Sequence, residues 1–239
     1  SLGLLIQYPK KSKVNSTLRI DKTNKAIIKG SNAKIVSFIG SGNYSSRVLI
    51  PAFANSGAKM HTLVSLKGLS PFLIGKKNKF LFASTDIDQT IKNSESGAIV
   101  IATRHDSHAE LVNKALESGK HIYVEKPLCL TIKELKNIKA KISANQILMV
   151  GFNRRFAPFI IDIKEYLNKV KGPKAFNFTC NAGYIDESHW TQDPKIGGGR
   201  LIGEAIHFVD LLKYLSSSSI DRINLISAKD KKVCPDTFN

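Results

Sequence analysis

The amino-acid sequence predicts an α/β protein, in which a doubly wound parallel sheet is followed by a partial α+β domain. Between residues 34 and 152, short apolar runs rich in β-branched residues alternate with amphipathic segments. Parallel strands and their crossover helices produce this alternation. The first apolar run stops abruptly at Gly40-Ser41-Gly42, a turn typical of such sheets. After Asn153 the alternation ends, and a different pattern predicts the second domain.

Each predicted element follows from its local pattern of apolar residues. Apolar runs predict strands at 35–39, 60–66, 98–102, 121–124 and 147–152, with a weaker element near residue 80. Amphipathic periodicity predicts helices at 44–56, 107–118 and 131–143. In the second domain we expect a helix at 157–170, a strand at 174–184, a glycine-rich turn at 197–199 and a helix at 203–215.

The same patterns divide the chain into three parts. Residues 1–32 are polar and basic after a short apolar start, which predicts a linker or the tail of an upstream module. Residues 33–152 form the predicted nucleotide-binding domain, and residues 153–239 a domain for substrate binding and oligomerisation. Because the chain starts at Ser1 and ends without a closing turn or cap, we expect this last domain to be truncated and the chain to be a fragment.

Composition excludes several classes of function. The formal net charge is +17, but the lysines are spread along the chain and are not interleaved with aromatic residues, so we expect no nucleic-acid partner. No apolar stretch is long enough to cross a bilayer, and the first residues lack a signal-peptide pattern. We therefore expect no membrane contact and a cytoplasmic location. The three cysteines form no CxxC pair, so neither a metal site nor a disulfide framework is predicted.

The segment GSGNYS is the first candidate site. A strand, a tight glycine turn and a helix start bring backbone amides close to a dinucleotide pyrophosphate. Gly40 allows the turn, Gly42 allows close approach, and Asn43 and Tyr44 begin the helix. The third small position is Ser45 in place of glycine. A plain turn between a strand and a helix remains the alternative at this stage.

Three further polar groups follow predicted strands or a glycine turn. Thr103, Arg104 and His108 come just after the strand AIVIA, and Glu125-Lys126-Pro127 comes just after HIYV. The third group is Gly197-Gly198-Gly199-Arg200, which leads to Glu204 and His207. Because the carboxyl ends of parallel strands share one edge of a sheet, we expect these groups to form one site. Taken singly, a surface pair of Glu125 with Lys126 and a packed histidine at 207 are the alternatives.

On these motifs the chain resembles the Gfo/Idh/MocA family of NAD(P)-dependent oxidoreductases. The resemblance rests on GSGNYS, IATRHDSHAELVNKALESGKHIYVEKP, GFNRRFAP and GGGRLIGEAIHFVDLL, and covers about Lys34 to Tyr214. The stretch NAGYIDESHWTQDPKIGGGRLIGEAIHF is similar to bi-domain members, in which a zinc-type alcohol dehydrogenase module comes first. The opening SLGLLIQYPKK resembles the last strand of that upstream module.

The resemblance implies a Rossmann-type domain that binds NAD or NADP, followed by a partial α+β domain with an open antiparallel sheet. It also implies a hydride transfer at a carbon of a sugar or cyclitol. It implies that Lys126 orients the nicotinamide and a substrate oxygen, and that His207 moves the proton. Many relatives carry an aspartate four residues before this histidine, whereas this chain has Gly203 followed by Glu204. Glu204 is the third catalytic candidate. A non-catalytic scaffold or sensor module, which Gly203 favours, is the alternative function.

The remaining candidates are residues near the predicted strand ends. With Gly40, Gly42, Asn43, Tyr44 and Lys126, the predicted cofactor contacts are Ser65, Thr103, Arg104, His108, Glu125 and Asn153. Predicted substrate contacts are Arg154, His189, Trp190 and Arg200, since a sugar offers hydroxyls to polar groups and an apolar face to an aromatic ring. No carboxylate follows the second strand, where Ser65 and Lys67 leave NADP open. The resemblance also implies a homo-oligomer for the full-length protein.

Overall fold

The computed structural model describes residues 15–21, 34–66 and 69–227. Within these ranges the chain forms one seven-stranded sheet in the order β1-β4-β3-β2-β5-β6-β7. All neighbouring pairs are parallel except β1 with β4. The strands are β1 (Thr17–Arg19), β2 (Ile35–Ile39), β3 (Lys59–Val64), β4 (Phe82–Ser84), β5 (Ala98–Ile101), β6 (His121–Val124) and β7 (Leu148–Val150).

The predicted α/β class is confirmed, with a Rossmann-type sheet covered by helices. The helices are α1 (Ile50–Asn55), α2 (Leu69–Lys77), α3 (Ile87–Lys92), α4 (His108–Glu117), α5 (Ile132–Lys141), α6 (Pro158–Lys169) and α7 (Ile206–Ser216). A π-helical turn, Ser45–Leu49, leads into α1, and a second one, Leu201–Ala205, leads into α7. Helices α2 and α3 and strand β1 are additions to the predicted elements.

The burial of the central strands explains why their sequences are continuous apolar runs. All five residues of β2 are buried, because helices pack on both faces of the sheet. Val36 and Phe38 join one apolar cluster with Phe80, whereas Ile39 joins a second cluster that includes Val112 of α4. The alternation of side chains along a strand therefore divides one hydrophobic run between two cores.

The order of the strands creates a crevice beside β2. The chain leaves β2 for β3 on one side and returns with β5 on the other side. Ligands of open α/β sheets bind at such a switch point, outside the carboxyl ends of the strands. The turn after β2 and the loops after β5 and β6 consequently face one crevice.

Two predicted segments differ from the structure. Thr17–Arg19, within the predicted linker 1–32, forms the antiparallel edge strand β1 against β4. Residues 1–14 and 22–33, including the opening SLGLLIQYPKK, lie outside the described residues. The strand predicted at 174–184 is wrong, since this segment forms no strand. An extended segment is stable only when another strand pairs with it, and no described strand pairs with this one.

Candidate active site

The turn after β2 is shaped by a close contact at the switch point. Gly40 has a φ of +106°, and a Cβ at this position would lie 2.2 Å from the carbonyl oxygen of Ala102, after β5. Only glycine fits there. A Cβ on Gly42 would meet open space instead. Ser45, the third small position, donates from Oγ to the Gly40 carbonyl at 2.8 Å and so closes the turn.

This turn fits a dinucleotide pyrophosphate. In the helix that follows, the first hydrogen bond runs from Ser46 N to the Gly42 carbonyl oxygen at 2.9 Å. The backbone amides before Ser46 therefore lie ahead of the first intrahelical bond. Amides at a helix start attract anions, and the open space at Gly42 gives a phosphate access to them. Asn43 and Tyr44 lie exposed in the first helical turn, as the sequence predicts.

Tyr44 connects the glycine turn to the far side of the crevice. Its hydroxyl oxygen accepts a hydrogen bond from Asn153 Nδ2 at 3.0 Å, across 109 residues of sequence. Burial and the nearby Glu125 charge raise the pKa of Tyr44. The turn after β2 and the segment after β7 therefore lie at the same site.

The end of β3 provides less evidence for cofactor binding than the glycine turn does. Ser65 donates its backbone N–H to the Ser84 carbonyl at 3.1 Å, which fixes it at the end of the strand. Lys67, the second residue considered there, lies outside the described residues. Ser41 of the glycine turn lies with its Oγ 3.2 Å from that of Ser70 in α2. Only the backbone position of Ser65, at the end of β3, supports its predicted location beside the glycine turn.

The loop after β5 contains a histidine that is not open to a ligand. His108 is fully buried, with Nδ1 2.6 Å from the Pro127 carbonyl oxygen and Nε2 3.2 Å from that of Thr103. Burial lowers the pKa of His108. The ring ties the loop after β5 to the loop after β6. Thr103 Oγ1 lies 2.6 Å from Ser107 Oγ, and Arg104 is exposed.

His105 belongs to the polar cluster after β5 but is not among the predicted site residues, and it contacts two residues that lie well beyond β7 in the sequence. Its Nδ1 lies 2.8 Å from the Gly197 carbonyl oxygen, and its ring packs edge-on against Trp190 with centroids 4.8 Å apart. Burial lowers the pKa of His105 to about 4. In the sequence, the only indication of a role for His105 is its position after a strand, because its partners Gly197 and Trp190 lie far away along the chain.

Glu125 is held at the end of β6 by its own strand. The Tyr123 hydroxyl donates to Glu125 Oε1 at 2.8 Å. A Cβ on Gly151 would lie 2.6 Å from the same carboxylate oxygen, so the glycine after β7 leaves room for this pair. Burial raises the pKa of Glu125. The backbone N–H of Glu125 donates to the Ile101 carbonyl, which places this corner beside the end of β5.

Lys126 reaches the turn before α7. Its Nζ donates to the Gly203 carbonyl at 2.5 Å, and the peptide bond to Pro127 is cis. Burial lowers the pKa of Lys126, as does the Arg154 charge, while Glu125 and Glu204 oppose this shift. Since Gly40 and Glu125 both contact the end of β5, the glycine turn and Lys126 converge on one crevice, as predicted.

His207 has a buried nitrogen that no described group satisfies. The Nδ1 atom is buried and makes no hydrogen bond to any of the described residues. Burial lowers the pKa of His207 to about 4, and the charges of Lys126 and Arg154 contribute to the shift. The imidazole is therefore neutral at pH 7 and able to accept a proton. A buried polar atom of this kind can be satisfied by a ligand or by an ordered water molecule.

Arg200 and Glu204 hold each other. Arg200 is 7% exposed and donates from Nε and Nη2 to Glu204 Oε2 at 3.2 and 3.1 Å. Its Nη1 donates to the Gly183 carbonyl at 2.6 Å. The three described bonds of Arg200 thus fasten the turn before α7 to the segment around Gly183. Glu204 remains within electrostatic range of Lys126.

The residues after β7 have two different roles. Arg155 binds Asp210 of α7 through two hydrogen bonds, one of them 2.7 Å long. Arg154 is exposed, and its guanidinium lies over the Phe208 ring with Cζ 4.7 Å from the centroid. Asn153 is also exposed and contacts Tyr44, as described above. Arg154 therefore reaches the part of α7 that contains His207.

His189 and Trp190 lie at the other rim of the crevice. His189 is exposed, with Nδ1 2.8 Å from Thr191 Oγ1. The Trp190 ring packs against His105, and the Arg104 guanidinium lies over it with Cζ 5.6 Å from the ring centre. Trp190 is thus placed to report on ligands, whereas the described contact of His189 is local. Most predicted site residues converge on the crevice; His108 and Arg200 form its walls.

Comparison with known proteins relates part of the chain to a family of oxidoreductases. Residues 34–152 match the family model described as GFO_IDH_MocA, oxidoreductase family, NAD-binding Rossmann fold. The scyllo-inositol 2-dehydrogenase (NAD(+)) of Bacillus subtilis is 30% identical over 145 residues, 59% of this chain and 41% of that protein. The levoglucosan dehydrogenase of Pseudarthrobacter phenanthrenivorans is 30% identical over 145 residues, 56% of this chain and 36% of that protein.

A solved structure confirms the fold. A levoglucosan dehydrogenase in complex with NADH and levoglucosan superimposes with a TM-score of 0.69 at 23% identity, covering 82% of this chain and 57% of that one. The present chain thus spans about two fifths of the two curated relatives and somewhat more than half of this structure.

These findings give residues 34–152 their class first: an NAD-binding Rossmann fold of the oxidoreductase family. Residues 34–152 belong, more narrowly, to the Gfo/Idh/MocA family of oxidoreductases. The glycine turn, open at Gly42, fits the cofactor that this family binds. Among the described residues there is no cluster of histidine, cysteine and carboxylate side chains that could hold a metal ion. No helix within the described ranges is long and apolar enough to span a membrane.

Proposed function

We propose that this chain provides the cofactor-binding and proton-transfer groups of an NAD(P)-dependent dehydrogenase that acts on a CH–OH group of a sugar or cyclitol. The observation that carries the proposal is the unpartnered, buried Nδ1 of His207 within electrostatic range of the Lys126 ammonium. One group can accept a proton while the other stabilises negative charge on oxygen.

A nicotinamide cofactor held by the turn Gly40 to Gly42 would supply the hydride acceptor when the substrate C–H bond is oxidised. Lys126 donates a hydrogen bond to the substrate oxygen and stabilises the developing alkoxide. His207 accepts the hydroxyl proton on Nδ1, so the C–O bond becomes a carbonyl and all charges are accounted for. Burial lowers the pKa of Lys126, and the nearby charges of Glu125 and Glu204 oppose this shift.

Other parts of the crevice bind and orient the two reactants. The turn Gly40 to Gly42 holds the pyrophosphate, with Asn43, Tyr44, Ser65 and Asn153 along its rim. Thr103, Arg104 and Glu125 line the side nearest Lys126. Trp190 offers an apolar face to the sugar, and Arg154 and His189 offer polar contacts. His108 and Arg200 act on the site through the loops that they hold.

The proposal extends to the whole protein. The stretch from Asn181 to Phe208 resembles bi-domain oxidoreductases, which supports a preceding alcohol-dehydrogenase module. A cytoplasmic location and a homo-oligomeric assembly belong to the same proposal, supported by the cysteine pattern and by the family resemblance. Mass spectrometry of the intact natural polypeptide tests the preceding module. A polypeptide no longer than 239 residues contradicts it.

Titration with NADH and NADPH tests the central claim. Trp190 is the single tryptophan of the chain and contacts the His105 ring, so its fluorescence reports on the crevice directly. We expect saturation by one of the two cofactors below about 1 mM. Saturation by neither contradicts the proposal. Cofactor binding without deuterium transfer from labelled cofactor to any carbonyl sugar supports the non-catalytic module instead.

A further inference from the structure

Two cations near His207 lack a carboxylate partner. Lys126 donates to a backbone carbonyl, that of Gly203, and Arg154 lies over the Phe208 ring. Within the described part of the chain, neither side chain forms an ion pair. Phe208 follows His207 directly in α7, so the Arg154 guanidinium is held next to the proton-accepting group. Both charges lower the pKa of His207, which agrees with this placement.

The carboxylates around these cations already have partners. They are Glu125, bound by Tyr123; Glu204, bound by Arg200; and Asp210, bound by Arg155. Each of these bonds is made within the chain, and none of the three carboxylates forms a described ion pair with Arg154. The crevice beside His207 consequently carries an excess of positive charge. A partly desolvated excess charge is costly unless a ligand neutralises it.

We propose that the substrate is a sugar or cyclitol that carries a carboxylate, and that Arg154 binds this group. The inference rests on the proposed function, in which Lys126 is occupied by the reacting oxygen. Arg154 is then the cation left for a second group of the substrate. A guanidinium presents two parallel N–H donors that match a carboxylate, and stacking on Phe208 restricts its orientation. One free positive charge matches a monoanion better than a phosphate dianion.

Matched pairs of ligands test the proposal on the chain saturated with whichever of NADH or NADPH binds. Glucuronate is compared with glucose, and galacturonate is compared with galactose. Glucose 6-phosphate is included as a third anion. Binding is measured by Trp190 fluorescence and by calorimetry. We expect each uronate to bind at least about ten-fold more tightly than its neutral partner, as a charge-assisted bidentate contact allows.

Arg154→Gln provides the decisive variant. The uronates should lose their advantage over the neutral sugars, while the affinity for the cofactor stays unchanged. Arg222→Gln is the control, since it removes the same unit of charge from an exposed position elsewhere. Because the chain has a net charge of +17, a general attraction for anions would fall equally in both variants.

Four results overturn the proposal, and each is distinct from failure of the proposed function. They are equal binding within both pairs, tighter binding of glucose 6-phosphate than of glucuronate, no binding of any uronate to the cofactor-loaded chain, and loss of cofactor affinity in Arg154→Gln. The last would assign Arg154 to the cofactor. Absence of cofactor saturation in the first place would remove the proposed function itself.

Discussion

Lys126 Nζ donates a 2.5 Å hydrogen bond to the backbone carbonyl of Gly203, and this bond joins the end of β6 to the turn before α7. The ammonium is thereby fixed between the end of β6 and the turn before α7, although the two residues are 77 positions apart. Because the acceptor is a backbone carbonyl, the bond leaves the charge of Lys126 unneutralised. That charge is available to a substrate oxygen and acts on His207.

We expect Lys126→Met to lower turnover about 10²- to 10⁴-fold, the usual effect of losing a charged or proton-transferring group in an active site. The pKa of His207 should rise at the same time, because the Lys126 charge contributes to its depression to about 4. The pKa is measured by NMR titration of the imidazole. This second readout would not respond if Lys126 were only a packing residue.

Lys114→Met is the matched control, since this lysine is paired on the surface with Asp88 and Glu110. Exposed pairs contribute about 1 kcal/mol or less, so stability and turnover should be nearly unchanged. Unchanged turnover in Lys126→Met, with an unchanged pKa of His207, would remove Lys126 from the mechanism.

The two glycines of the first turn should respond differently to alanine. In Gly40→Ala the new Cβ would lie 2.2 Å from the Ala102 carbonyl oxygen at a φ of +106°, so we expect a loss of roughly 2–4 kcal/mol in the free energy of unfolding. In Gly42→Ala the Cβ meets open space, and stability should change by less than about 1 kcal/mol.

The affinity for the cofactor should nevertheless fall at least about ten-fold in Gly42→Ala, because the methyl group occupies the approach of the pyrophosphate. Urea unfolding and Trp190 fluorescence titration measure the two effects separately. Unchanged affinity in this variant would show that the turn does not contact the cofactor.

The sequence predicts the central sheet well because the apolar strands and the glycine turn are both visible in local sequence patterns. The run at 35–39 and the strand at 121–124 have the predicted bounds, and the helix predicted at 107–118 is α4, His108–Glu117. The turn at Gly40 is visible as well, since its glycines follow a strand directly. Convergence of Gly40 and Lys126 follows from one rule about parallel strands.

Elements whose stability depends on distant partners could not be predicted. Helix α2 contains Pro71 and Gly75, which weaken its helical signal, and a Cβ on Gly75 would lie 2.6 Å from Ile20 Cδ1. Strand β1 has three residues and exists through its pairing with β4. His105 gains its importance from Gly197, 92 residues away, and no sequence pattern indicates that contact.

The pH dependence of stability should reflect His105 and His207. Burial lowers the pKa of both to about 4 in the folded chain, from an ordinary value of 6.5. Between these values the unfolded chain binds more protons than the folded one, so the free energy of unfolding falls as the pH drops from about 6.5 to about 4. Below that window these two histidines cause no further change.

His105→Gln should flatten this pH dependence, because one of the buried histidines with a lowered pKa is removed while an amide can still donate to the Gly197 carbonyl. Urea unfolding across the window provides the measurement. The exposed His189 is the control position, and His189→Gln should leave the slope as it is. A slope unchanged in His105→Gln would mean that His105 binds its proton equally in both states.

Arg200 should prove to be a structural residue that positions Glu204. It is 7% exposed, and its described bonds go to the Glu204 carboxylate and the Gly183 carbonyl. We expect Arg200→Gln to lower the free energy of unfolding by about 2–4 kcal/mol, because it leaves both acceptors without this donor. Glu204→Gln should cost less, about 1 kcal/mol, since the amide oxygen can still accept from Arg200.

Arg200→Lys distinguishes this role from direct substrate binding. An ammonium cannot make the two separate contacts of the guanidinium, so the lysine variant should be nearly as unstable as Arg200→Gln. If Arg200 instead binds the sugar, as the sequence predicts, unfolding should be unaffected in both variants while KM for the sugar rises. Urea unfolding compared with KM therefore decides between them, because the two roles change different quantities.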